Sequence, residues 1–286
     1  MDVNTNISAQ RSAGHAAKNE RVATEVMRRL STGIKINSAV DDPAGWTISS
    51  KMTSTLMSMK QALRNAYDGI SMLETASGAT TEMGNMVQRI RELTLQGISD
   101  SSTSAQRAMM QNEAAELISE IENIAKDTQF NSRNLLDGSS ENIKIQIGDV
   151  AGQTFDVSIS SLTVKDLQLE GLDIISNPSE ALSKVDSAVT QVVGAQAKFG
   201  VNVALLNQAI ESLLNSSLSF EAARGRIVDT NYAHDTTTLA SKTIMGQAAM
   251  AMVSQANQQP KAVHHLLKVE SNKSFWEMTR TYSGQW

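Results

Sequence analysis

Between residues 178 and 223, Val185, Val189, Val192, Gln196, Phe199, Val203, Leu206, Ile210 and Leu213 recur at alternating steps of four and three. That spacing keeps one line of side chains on one face of an α-helix, and it marks a helix that packs lengthwise against another. Met59, Leu63, Ala66, Ile70 and Leu73 carry the same phase in a second segment, from 44 to about 98. At about 1.5 Å per residue this segment would reach roughly 80 Å. Gln196 is the one polar member of its seam, a common device for fixing register. Only 4% of residues are aromatic and three are proline. The core must therefore come from Ala, Leu, Ile, Val and Met along helices, with flexible Met as filler at positions such as Met52, Met59 and Met86. The expected fold class is mainly α: an elongated antiparallel helical rod, coiled-coil-like, with a small β-hairpin and paired N- and C-terminal helices.

Local signals divide the chain. A first helix over 4–32 ends at Gly33, a left-handed cap. Asp42 is the expected N-cap of the second helix and Pro43 its first residue. A polar loop over 99–104 precedes a third helix at about 104–128, whose outer face carries Glu113, Glu116, Glu120 and Glu122. Ile143, Ile145 and Ile147, then Phe155, Val157 and Ile159, alternate with mostly polar residues around a turn at Gly152, as a hairpin requires. Asn177, Pro178 and Glu180 predict a capping box opening the helix over 178–223. After a connector at 224–231, a last helix covers about 232–266. Asp235, Lys242 and Lys261 are its only charged residues, so it is suited to being surrounded by protein. The organisation expected is an N-terminal core helix and connector at 1–43, and an N-terminal part of the rod with two helices and the hairpin at 44–176. The C-terminal rod helix at 177–230, a C-terminal core helix at 231–267 and a tail at 268–286 follow. The terminal helices are weakly amphipathic and should become ordered by burial between subunits.

Chemistry is not what this pattern supports. Without cysteine there is no thiol nucleophile, thiolate metal site or disulfide. His15, His234, His264 and His265 have no metal-binding spacing. There is no nucleophile-elbow serine motif and no glycine-rich phosphate loop. Glu113, Glu116 and Glu120 share one helix face and read as a solvated acidic surface. The chain reads as a non-enzyme with no catalytic, cofactor-binding or metal-binding residues and no cofactor. The net charge of −5 includes no concentrated basic face, which argues against nucleic-acid binding. No run reaches the roughly 18 apolar residues of a membrane span. The first residues lack the apolar stretch of a cleaved secretory signal.

Several strings carry a resemblance. RRLSTGIKINSAVDDPAG at 28–45, RNAYDGISMLETASGA at 64–79, VQRIRELTLQ at 87–96 and TQFNSRNLL at 128–136 resemble the N-terminal signatures of bacterial flagellins. RIVDTNYA at 226–233 and SQANQQPKAVHHLL at 254–267 resemble the C-terminal ones, with Asn231 where the family usually carries Asp. The matching signature positions are Asn37, Asp41, Asp42, Gly45, Asn65, Asp68, Gly69, Arg226, Asp229, Tyr232, Gln255, Asn257, Pro260, Leu266 and Leu267. The short interval before Asn177 leaves no room for an inserted outer domain, so the chain resembles a minimal, core-only flagellin.

The resemblance implies a structural subunit that polymerises into the bacterial flagellar filament for swimming. It implies export in unfolded form through the flagellar type III apparatus and an extracellular location without a cleaved signal peptide. The implied partners are further copies of the chain, a flagellin-specific export chaperone, and the filament cap and hook-associated proteins. An animal innate receptor for flagellin is a further one, read through Arg89, Leu93 and Glu113, which also serve contact between subunits. A hook–filament junction protein, or another secreted coiled-coil structural protein, is the alternative. The tail at 268–286 departs from the family, which usually stops near Leu266-Leu267. It carries Phe275, Trp276, Tyr282 and Trp286, and reads as a tail packed within the core, a read-through artefact or an extension into the filament lumen.

Overall fold

The computed structural model describes the backbone of residues 5–282, and side chains as far as 258 together with that of Lys261. Among the described residues there are five helices: α1 (Ile7–Thr32), α2 (Pro43–Ile98), α3 (Ser104–Asp127), α4 (Pro178–Val228) and α5 (Tyr232–Tyr282). Between α3 and α4 lie two antiparallel strand pairs, β1 (Gln129–Phe130) with β2 (Arg133–Asn134), and β3 (Ile143–Gln146) with β4 (Thr154–Val157). The chain divides into two units, one of residues 1–50 and 223–286, the other of 51–222.

In the second unit α2 and α4 run antiparallel. Lys60 pairs with Glu221 at 3.5 Å and Arg91 with Asp186 at 2.6 Å, while Gln196 donates to the Thr81 hydroxyl at 3.4 Å. The buried line on α2 runs Met59, Ala62, Ala66, Gly69, Leu73, Ala76, Thr80, Met83, Val87, Ile90, Thr94 and Gly97. On α4 it runs Ala181, Val185, Ala188, Val192, Ala195, Phe199, Leu206 and Ile210. The four-three period holds, but its phase alternates through small residues. Ala188 and Ala195 occupy the seam in place of Val189 and Gln196, and Ala62 and Gly69 in place of Leu63 and Ile70, all four of which flank it half-buried. Gln196 is therefore a flanking residue rather than the polar member of the seam. Thr80 and Thr94, fully buried, donate to the carbonyls of Ala76 and Ile90 at 2.7 Å, which removes the cost of burying a hydroxyl.

The hairpin over 143–157 is present, with Ile143 opposite Val157 and Ile145 opposite Phe155. Two features of this region escape periodicity. Asn131 and Ser132 turn β1 into β2 with φ of 49° and 62°. The stretch from Leu162 to Ile174 then buries Leu162, Leu167, Leu169, Leu172 and Ile174 without forming a strand or a long helix. Its backbone is held from α3, where Gln111 accepts from Ile174 N–H at 2.7 Å and donates to the Leu172 carbonyl at 2.7 Å. Glu122 accepts from Val164 N–H at 2.9 Å.

Capping differs from expectation at one helix. Glu180 pairs with Lys184 at 3.1 Å instead of closing a box, and Asn177 contributes its carbonyl to Ala181 N–H. The capping box stands at α3, where Thr103 and Gln106 satisfy each other's backbone N–H groups. Asp42 does cap α2, accepting from Ala44 and Gly45 N–H at 3.1 Å each. Gly33 closes α1 at φ 71°, a left-handed conformation that glycine adopts without Cβ strain. α4 continues to Val228, shortening the expected connector. The backbone of α5 continues as helix past Leu267 to Tyr282, through most of the tail.

Candidate functional site

In the first unit α1 and α5 form an antiparallel pair. Asn6 holds one end: its Oδ1 caps α1 by accepting from Ala9 N–H at 3.0 Å, while Nδ2 donates to the Ala256 carbonyl at 2.9 Å and to Asn257 Oδ1 at 3.3 Å. At the other end Tyr232 donates its hydroxyl to the Leu30 carbonyl at 3.3 Å. On α1 a line of buried and half-buried residues runs Ala9, Ser12, Ala16, Asn19, Ala23, Val26 and Leu30; on α5 another runs Asp235, Leu239, Lys242, Gly246, Ala249, Val253 and Ala256. Both lines step by threes and fours, so the pair is a two-stranded coiled coil rich in small residues, with Ser12, Asn19, Asp235 and Lys242 as polar members.

The outward faces of this pair are apolar. Ile7 and Met27 on α1 are 52% exposed, and Ile244 and Met250 on α5 are 65% and 64% exposed. Within the described part of α5 only Asp235 is buried. A soluble helix usually turns such residues inward; here they form a surface suited to cover by further protein.

The signature residues of the two chain ends meet at the corners that join these helices. Ile34 bridges Asp229 in antiparallel fashion, Lys35 N–H donates to the Val228 carbonyl at 2.6 Å, and Thr230 N–H to the Gly33 carbonyl at 3.0 Å. Asp41 accepts from Asn37 and Ser38 N–H at 3.0 Å and from Arg28 at 2.6 Å. The Arg28 guanidinium and these donors hold its carboxyl below the usual carboxylate range. Asn37 donates back to the Ile34 carbonyl at 2.7 Å. Asn231 accepts from His234 N–H at 3.2 Å and so caps α5; Asp, the family's usual residue there, offers the same acceptor. Arg226 is exposed in the last turn of α4, and Gln255 and Asn257 are exposed on α5. The side chains of Pro260, Leu266 and Leu267 lie outside the described residues.

In the second unit, Asn65 donates to the Gln146 carbonyl at 3.0 Å, fixing the hairpin on α2. A Cβ on Gly69 would stand 2.4 Å from Ile145 Cδ1, so this glycine admits the hairpin to the helix. Asp68 lines a shallow groove beside them of about 360 Å³.

Arg89 and Glu113 pair across α2 and α3 at 2.8 Å, and Glu92 adds a second carboxylate at 3.1 Å. These acids raise the Arg89 pKa, Glu113 foremost. Leu93 is only 3% exposed and belongs to the core cluster, so its side chain supports the helix rather than offering a contact beside the pair. Glu116 and Glu120 are exposed on the same helix as Glu113. No group of three or more His, Asp or Glu side chains among the described residues is placed to hold a metal ion, and no helix among them is long and apolar enough to cross a membrane.

Two family models match, the bacterial flagellin N-terminal helical region over residues 3–141 and the bacterial flagellin C-terminal helical region over 182–267. A flagellin of Halalkalibacterium halodurans is 33% identical over 272 residues, covering 94% of this chain and 100% of its own. A flagellin of Bacillus subtilis is 33% identical over 306 residues, with 94% and 100% covered. The crystal structure of Bacillus cereus flagellin is 25% identical, with a TM-score of 0.48 over 52% of this chain and 88% of that one. The N- and C-terminal matches follow the order of the signature strings and leave 142–181 and 268–286 outside them. The chain belongs to the bacterial flagellins, the non-enzymatic structural subunits that polymerise into the extracellular flagellar filament.

Proposed function

We propose that the α1–α5 pair is the part of the subunit that becomes enclosed by other copies in the filament. The observation that carries this reading is the set of exposed apolar side chains on the part of α5 before Leu267, where Asp235, Lys242 and Lys261 are the charged residues, Ile244, Met245, Met250 and Met252 being 47–65% exposed. Covering such side chains is favourable by about 25 cal/mol per Å² of apolar surface, and a helical polymer covers them in every subunit.

The remaining partners are those the flagellin family implies. Before assembly an export chaperone would cover α5 and prevent early polymerisation. A chain without disulfides or bulky inserted domains suits unfolded passage through the flagellar type III apparatus, which needs no cleaved signal peptide. Growth would then occur beneath the filament cap, on a base of hook-associated proteins. The Arg89–Glu113 pair, seated over buried Leu93, is the element an animal innate receptor would read in the free subunit.

The test is seeded polymerisation of purified monomer carrying Ile244→Glu or Met250→Glu. Both positions are exposed, so monomer helicity by circular dichroism should be unchanged while filament growth by electron microscopy is lost. Growth of either variant at the parental rate would remove α5 from the assembly surface.

A further inference from the structure

The methionines do not all fill the core. Met83 is fully buried and Met110 is 8% exposed, but Met245, Met250 and Met252 lie close together on α5 at 47%, 64% and 60% exposure, while Met27, Met57 and Met109 are exposed singly elsewhere. With 3.6 residues per turn, Met245 and Met252 share one flank of the α5 seam and Met250 lies on the other. The chain has no cysteine, so thioethers are its only sulfur and the side chains a peroxide oxidises first. No thiol of its own diverts the oxidant or reverses the reaction.

We propose that Met245, Met250 and Met252 form an oxidation-sensitive site that gates polymerisation, with hydrogen peroxide as the reactant. A sulfur lone pair attacks one peroxide oxygen; the S–O bond forms as the O–O bond breaks. Sulfur loses two electrons, and the departing hydroxide takes the proton of the transferred oxygen, leaving methionine sulfoxide and water. The product carries a strong hydrogen-bond acceptor where the apolar thioether stood. Enclosing it between apolar helix faces without a donor is unfavourable, so the oxidised subunit stays in solution until a sulfoxide reductase restores it. In the polymer the same sulfurs are covered and react slowly. The inference rests on the reading of α5 as the surface between subunits.

The experiment treats full-length monomer and preformed filaments with hydrogen peroxide, maps sulfoxides by peptide mass spectrometry and measures seeded growth. In monomer, Met245, Met250 and Met252 should oxidise well before Met83 and Met110, and the critical concentration should rise about tenfold. Measured against its own untreated value, the critical concentration of the triple variant Met245→Leu, Met250→Leu, Met252→Leu should rise far less on treatment than the parent's, and filaments should protect the three positions. Growth of the fully oxidised parent at the untreated critical concentration would overturn the proposal, as would equal loss of growth in the treated triple variant. Failure of untreated parent to polymerise would instead count against the filament surface, while the order of oxidation in monomer still reads the exposure of the site.

Discussion

Arg89 and Glu113 meet through a forked contact on one oxygen: Nε and a terminal guanidinium nitrogen both approach Glu113 Oε1, at 2.9 and 2.8 Å. Their side chains are 50% and 48% exposed. Water screens such a pair, and ion pairs this exposed contribute little to folding. Its value lies in presenting a fixed arrangement of charge on α2 and α3. Glu113→Ala should therefore leave the melting temperature nearly unchanged while lowering receptor-reporter signalling by purified monomer several-fold. Signalling equal to the parent would remove the pair from recognition.

Phe199 lies in the α4 seam at 1% exposure, whereas Val201, two residues on, is 58% exposed. Phe199→Ala removes a ring that close-packed neighbours cannot replace, and should cost about 3–5 kcal/mol. Val201→Ala should change stability by less than about 0.5 kcal/mol. Guanidinium denaturation of the monomer, followed by circular dichroism, measures both.

The helices were legible because they are long and their apolar residues keep one period; α2 and α3 end within a residue of where the pattern stops. The phase of the seam was less so. Val189 and Ile70 are the more hydrophobic choices, yet Ala188 and Gly69 are buried, because closely approaching backbones favour the small residue. Leu93 shows the same limit at the candidate site: a recognition motif names the residue, but its neighbours in the fold decide whether it faces solvent. The turn at Asn131 and Ser132 and the buried stretch around Leu167 carry no periodic signal. Gln111 and Glu122, whose side chains hold that stretch, read in sequence as ordinary residues of a helix surface. The pairing of α1 with α5 follows a heptad in which Ala, Ser and Gly alternate with a few larger residues, a pattern that hydrophobicity alone barely registers.

That small-residue seam gives a direct test of the terminal pair. Ala23 is 9% exposed at its centre. Ala23→Asp would bury a carboxylate without a partner and should cost more than about 2 kcal/mol. Hydrogen exchange in α1 and α5 should rise sharply, seeded growth should stop, and protection in residues 51–222 should persist. Ala17→Asp, at an exposed position of the same helix, should change neither exchange nor monomer stability. If both substitutions behave alike, the seam is not what holds the pair.

Asp173 sets an expectation for acid. Its Oδ1 accepts from the N–H groups of both Ile175 and Ser176 at 2.9 Å, and these bonds, Ser176 foremost, hold its pKa below the ordinary 3.8. Asp166 is lowered by the hydroxyls of Ser161 and Thr163, and Glu122 by the Val164 N–H and Lys126. A carboxyl depressed in the folded state adds stability that is fully present above its unfolded pKa and is lost as pH falls through the folded one. The melting temperature should thus stay level from about pH 7 to pH 5 and fall below about pH 4. Asp173→Asn keeps an oxygen for both N–H donors but cannot titrate. It should match the parent near pH 7 and lose less stability on acidification, as calorimetric scans across pH would read. An acid limb identical to the parent's would show that Asp173 contributes nothing to it.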